Sequence, residues 1–219
     1  MSKRRVHILA ALCGILGPVT LVTSFVINPA PPATATVEQL RSFAIQHQTT
    51  IVLGGWLQGI GSLLIVLFSL GIVHCAGATH RLAGWATLLA GATILMVSLV
   101  EVTFYLAAAH AAIAGDITTG FVSNALIKAV QHVFLIAPAL LIPLGVVLVD
   151  SSLLPGLLGY LALLLGVTLQ ILGLVGLFNL LQLVIDDVLI VQALWFVAAA
   201  IALIARANRA ADGRVAQPL

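Results

Sequence analysis

Glu101 is the one carboxylate of this 219-residue chain that lies deep inside an apolar stretch, and Lys128, twenty-seven residues later, is the one lysine that does. A charge in hydrocarbon is costly unless it is paired or put to use, so these two positions are where chemistry is expected. Tyr105 lies one helical turn from Glu101, and Asn124 and His132 lie one turn to either side of Lys128. Gln58, Gln131, Gln170 and Gln192 are further amides within apolar stretches. A carboxylic acid kept protonated in a dry site could protonate an olefin, epoxide or carbonyl, with His132 or Lys128 accepting or returning a proton. A carboxylate whose proton occupancy follows conformation would serve a proton-coupled carrier. The plainest reading is a buried salt bridge that fixes helix register.

The elements that must position these residues follow from composition. The chain is 62% hydrophobic and 7% charged, with a mean hydropathy of +1.21, against roughly 45–50% and about 25% in soluble domains. Six apolar stretches are long enough to cross about 30 Å of hydrocarbon as helix: about Val6–Ile27, Thr49–Cys75, Leu82–Ile113, Phe121–Val149, Gly156–Phe178 and Val188–Ala205. The expected fold is a single all-α polytopic domain of six transmembrane helices. Residues 29–48 form an outer loop with a short amphipathic helix, and residues 207–219 form a cytoplasmic tail.

Seven of the nine basic residues (Lys3, Arg4, Arg5, Arg81, Arg206, Arg209 and Arg214) fall in segments that share one side. Glu38, Arg41, Asp116, Asp186 and Asp187 fall on the other. The excess of Lys and Arg puts that first side, with both termini, in the cytoplasm of a cell whose inner (plasma) membrane the protein spans. The net charge of +2 reflects this asymmetry and does not argue for nucleic acid binding. The first apolar run exceeds the roughly 7–15 residues of a signal-peptide core, so it is expected to stay as a helix.

Depth arithmetic builds the candidate site. The turn between the third and fourth spans centres near Gly115, fourteen residues after Glu101 and thirteen before Lys128. At a rise of 1.5 Å per residue both lie about 20 Å from that turn and can face each other in an antiparallel hairpin. The polar residues gather in the outer half of the bundle over an apolar cytoplasmic half, which suggests a pocket closed below.

Sliding the chain by about 75 residues aligns Gly84-Trp85, Leu88-Leu89, Gly91 and Thr93 with Gly159-Tyr160, Leu163-Leu164, Gly166 and Thr168. One residue out of that register, Leu70–Val73 aligns with Leu144–Val147. Hairpins 2–3 and 4–5 are therefore expected to form a parallel repeat about an axis along the membrane normal. Its register sets Gln58 opposite His132. Gly159, Gly166, Gly173 and Gly176 make a smooth stripe on the fifth span, suited to tight packing or to a homo-oligomer. Pro138 and Pro143 should kink the fourth, and Thr36 with Gln39 reads as a capping box.

No metal site or cofactor is expected: the histidines lack ligand spacing, and Cys13 and Cys75 read as small apolar residues in a reducing compartment. The segment around Lys128, Gln131, His132 and Phe134, then Pro143-Leu144-Gly145 and the turn Ser152–Gly159, resembles the bacterial membrane proteins of domain-of-unknown-function family 4386. Those proteins are similar in length and helix number, with a His in the fourth helix and an LP-x-x-LG turn into the fifth. The resemblance implies a place for His132 and for Leu154, Pro155, Leu158 and Gly159, but no activity.

The sequence thus points to a multi-pass membrane protein among membrane lipids, with Glu101 and Lys128 as a protonatable or structural pair. Its outer-half pocket would bind or carry a small lipophilic ligand through Tyr105, Asn124, Gln131, Gln58, Gln170 and Gln192. The alternative is an intramembrane acid/base enzyme of cyclase or isomerase type, acting on a lipid or isoprenoid-like substrate through Glu101, Lys128 and His132.

Overall fold

In hydrocarbon every backbone N–H and C=O needs an internal partner, and this chain meets that demand with helices alone among its described residues. The computed structural model describes residues 3–28, 36–134, 137–176 and 182–215. The elements are α1 (Lys3–Ile27), α2 (Val37–Cys75), α3 (Leu82–Ala114), α4 (Ile117–Phe134), a 3₁₀ turn (Ala137–Leu140), α5 (Leu141–Val149), α6 (Gly156–Gly176) and α7 (Gln182–Val215). Among the described residues four stretches are long and apolar enough to cross a membrane: Arg4–Ile27, Glu38–Cys75, Leu82–Ala114 and Ile190–Arg209. Gly156–Leu172 is a shorter apolar helix.

The capping box forms: the Gln39 amide N–H donates to Thr36 Oγ1 at 3.3 Å, and the Thr36 N–H donates to Gln39 Oε1 at 2.8 Å. From there α2 runs 39 residues without a break, so the short outer helix and the second span are one rod. The fourth expected span is instead divided into α4, the 3₁₀ turn and α5. Pro138 lies in the turn and Pro143 in the first turn of α5, where its missing N–H costs little. Residues 207–215, expected as tail, continue α7. Their alanines, Ala207, Ala210 and Ala211, favour helix.

Glycines decide which helices touch. A Cβ on Gly61 would lie 2.8 Å from the Leu21 nitrogen, and one on Gly17 would lie 3.0 Å from the Ile65 nitrogen, so α1 and α2 meet backbone to backbone. On its α3 side, α2 presents Gly55 to Val102 and Gly59 to Leu99. In the next hairpin Gly159 and Gly166 lie against the backbones of Val149 and Ile142. The glycine stripe of α6 therefore packs within the chain at these two positions; the side-chain surroundings of Gly173 and Gly176 lie outside the described residues.

Gly77, at φ +67°, turns the chain between α2 and α3, and Gly115, at φ +77°, ends α3, both in the left-handed region that favours glycine. Arg206 Nη1 donates to the carbonyls of Ser152 and Leu153, and Trp195 Nε1 donates to Leu158 O at 3.1 Å, fastening α7 to the α5–α6 hairpin. α7 also packs against α1. The start of α1, residues 76–81, residues 150–155 and the Arg-bearing end of α7 thus share one end of the bundle, the basic end. The core fills this half with Phe68, Ile72, Leu141, Leu144, Leu148 and Leu203. Phe196 meets Phe68 and Trp195 edge to face, with ring centres 5.8 and 5.2 Å apart.

At the opposite end Asp116 starts α4, its Oδ1 accepting the Thr119 N–H at 3.1 Å. Hydrogen bonds from the Thr119 side chain and amide hold this carboxyl below the usual Asp range. The carboxylate therefore supports the folded helix start above the unfolded Asp pKa of about 3.9, and that support is lost as pH falls through the lower folded value. Protection factors of the Thr118–Gly120 amides, exchange rates relative to an unstructured chain at the same pH, should fall on acidification through that range, and Asp116→Ala should remove that fall. Gly61→Val should destabilise by about 1–3 kcal/mol, as overpacking does, seen as a lower midpoint of thermal unfolding in detergent.

Candidate functional site

Glu101 is 3% exposed, walled in between α2 and α3. Gln58 of α2, 1% exposed, donates its Nε2–H to Glu101 Oε2 at 2.6 Å. One turn toward the basic end, Ser62 Oγ donates to Ser98 Oγ at 2.8 Å, both side chains buried. Two polar rungs thus join α2 to α3, and Gly55 and Gly59 flank them by letting the helices come close.

The described partner of Glu101 comes from the α2–α3 hairpin, while the side chain of Lys128 lies outside the described residues. Among the described residues Glu101 makes no salt bridge, and its contact is an amide from the preceding helix. The reason is geometric. Gln58 lies seventeen residues before the end of α2 at Cys75, and Glu101 nineteen after the start of α3 at Leu82, so the α2–α3 hairpin brings them level. Glu101 and Lys128 also keep similar distances from the turn at Gly115 and Asp116, and α4 packs on α3. The side chains of Asn124, Lys128, Gln131 and His132 lie outside the described residues.

The remaining candidates are dispersed. Tyr105 is half-buried on α3, one turn beyond Glu101. Gln170 is half-buried on α6, which packs against α5, the 3₁₀ turn and α7. Gln192 shares a shallow cleft between α1 and α7 with Pro18, Leu21, Phe25 and Phe196. The structure therefore brings Gln58 to Glu101 and sets Gln192 in a separate place. Ser62 and Ser98 were not singled out by the sequence reading, although Ser62 falls four residues after Gln58 and Ser98 three before Glu101, the spacing of one helical face. Among the described residues no group of His, Cys, Asp or Glu could hold a metal ion.

Gln58 gives the site an unusual chemical latitude. Its amide carries both a donor and an acceptor. As placed, the N–H stabilises a carboxylate; rotated by half a turn, the carbonyl would accept from a carboxylic acid. The acid can change protonation state without losing its partner. Comparison with protein-family models, with curated proteins and with solved structures returns no match.

A double-mutant cycle with Gln58→Leu and Glu101→Leu should give a coupling of about 1–3 kcal/mol, measured by unfolding in detergent. Additive single effects would show that the bond is not made. Ser62→Ala with Ser98→Ala should couple by less, about 0.6 kcal/mol, the average for hydrogen bonds between membrane helices.

Proposed function

We propose that this chain is a six-pass integral membrane protein that binds or carries a small lipophilic ligand, with Glu101 as its protonatable element. The supporting observation is the buried carboxyl held by a neutral amide: Gln58 serves either protonation state, as a carrier coupled to protons requires. The six passes are α1, α2, α3, the broken pass from α4 through the 3₁₀ turn to α5, α6 and α7. The polar rungs toward the far end and the apolar core toward the basic end agree with a site closed on the basic side. We read the basic end as cytoplasmic, in the inner (plasma) membrane, by the excess of Lys and Arg there.

Two further parts of the proposal have their own support. The α2–α3 and α5–α6 hairpins are joined by segments of equal length, 76–81 and 150–155. Gly84 and Gly91 face the side chains of Val73 and Val66, and Gly159 and Gly166 face Val149 and Ile142, although only the second pair reaches its partner's backbone nitrogens. Both features suit a parallel repeat. Lys128 is assigned as a second member of the site by its shared level with Glu101, and the kinship with family 4386 rests on the motifs around His132 and Pro155.

Wild-type protein purified in mild detergent should retain a lipophilic species identifiable by mass spectrometry. Glu101→Gln, folded and eluting as the wild type, should retain roughly tenfold less, equivalent to about 1.4 kcal/mol. In proteoliposomes the flux of that species should respond to an imposed pH gradient. Equal retention by the variant removes Glu101 from the site, and flux indifferent to pH removes the coupling to protons.

A further inference from the structure

The helices are longer than a bilayer needs. α2 has 39 residues and α3 has 33, rises of about 58 and 50 Å against a hydrocarbon thickness of about 30 Å. Exposed aromatic side chains stand at two levels along the bundle. Trp85 and Tyr160, 62% and 63% exposed, stand in the first turns of α3 and α6 at the basic end. Trp56, 61% exposed, stands two residues before Gln58 on α2, level with Glu101. Sixteen residues of α3 separate Trp85 from Glu101, about 24 Å of helix. Outward-facing Trp and Tyr in two planes this far apart are what the two interfaces of a bilayer select.

The surface between and beyond these planes changes character at the same levels. Between them the exposed large side chains of α2 and α3 include Leu63, Leu67, Leu70, Leu89, Met96 and Leu99. Beyond Trp56 the exposed positions of α2 are first Leu53 and Val52 and then mostly polar, Gln48, Gln46, Ser42, Arg41 and Glu38, with Ile45 among them. α1 is an independent ruler: its basic first turn lies at the basic end, and Asn28, just past its last residue, rests against Gly54, half a turn beyond Trp56. A bilayer-wide helix thus stops where the polar stretch of α2 starts.

We propose that the bilayer covers only the part of the bundle between the Trp85–Tyr160 plane and the Trp56 plane. The first turns of α2, the last turns of α3 and the start of α4 then stand beyond it as an outer lobe, about 20 Å tall from Glu101 to Ala114. Glu101 and Gln58 accordingly lie at the outer headgroup level, not at mid-membrane. A ligand reaching them enters from the outer interface as an amphiphile, its polar end at the carboxyl and its apolar part in the hydrocarbon below. This placement rests on the membrane-spanning reading and refines it.

The test uses four positions that are all exposed on the protein, Gln46 and His110 beyond the Trp56 plane and Leu63 and Met96 within the slab. In a Cys13→Ala, Cys75→Ala background, single cysteines at each are treated with a membrane-impermeant maleimide, in right-side-out and inverted vesicles. Gln46→Cys and His110→Cys should label at least roughly tenfold faster than Leu63→Cys and Met96→Cys, and from the same side. Protection of all four overturns the placement while leaving the membrane reading intact; labelling of all four removes both. Unmodified protein in lipid nanodiscs supplies the second measurement: amides of 38–50 should exchange with deuterium at least roughly tenfold faster than those of 60–73. Uniform protection along α2 would overturn the proposal.

Discussion

The close approach of α1 and α3 to α2 is the constraint on which the rest of the bundle depends. Lipid tails are as apolar as leucine, so helices in a membrane gain little by hiding apolar surface from each other and are held by close packing and interhelical hydrogen bonds. α2 supplies both. Gly54 and Gly61 let α1 lie against its backbone, and Gly55 and Gly59 do the same for α3. Only with the helices this near can the short side chains of Ser62 and Ser98 meet, and the Gln58 amide reach Glu101 at 2.6 Å. The polar rungs then fix the register that the glycines leave free to slide.

The two halves of the bundle answer to different physics. Toward the basic end, large side chains interlock around Phe68 and Phe196, and the hydrogen bonds between elements come from Arg206 and Trp195 to backbone carbonyls. Those carbonyls lie in the turn before α6 and in its first turn. Toward the other end the buried contacts between α2 and α3 are made by side chains, and one carries an ionisable group.

Much of the fold was legible because it depends on local chemistry. Thr36 and Gln39 announce the start of α2, Gly115 the end of α3, and the apolar runs the spans. Pro138 and Pro143 announced a disturbance in the fourth pass. Hydropathy, however, registers side-chain polarity and not the backbone, so the pass read as one stretch where the structure has two helices and a 3₁₀ turn. The candidate site was legible in part. Glu101 was conspicuous as a buried acid, but its partner was sought as an opposite charge on the next helix. Gln58 is neutral, and the hairpin that brings it level runs through the earlier turn at Gly77. The same count of residues from a turn, applied to α2 and α3, would have found it. The Ser62–Ser98 contact was harder, since isolated serines in an apolar helix more often bond their own backbone, as Ser69 does with Ile65 O.

α7 packs back on α1, and a Cβ on Gly14 would press on Ala200 as well as on Phe68. This has a consequence for biogenesis. Helices enter a membrane in the order of synthesis, so α1, made before α7, waits for it before its second face is covered. Until α7 arrives, the Gly14 and Phe68 surface has only lipid to touch, and the turn at 150–155 lacks the guanidinium of Arg206. Assembly of the bundle therefore closes at the seam where the earlier α1 meets the later α7.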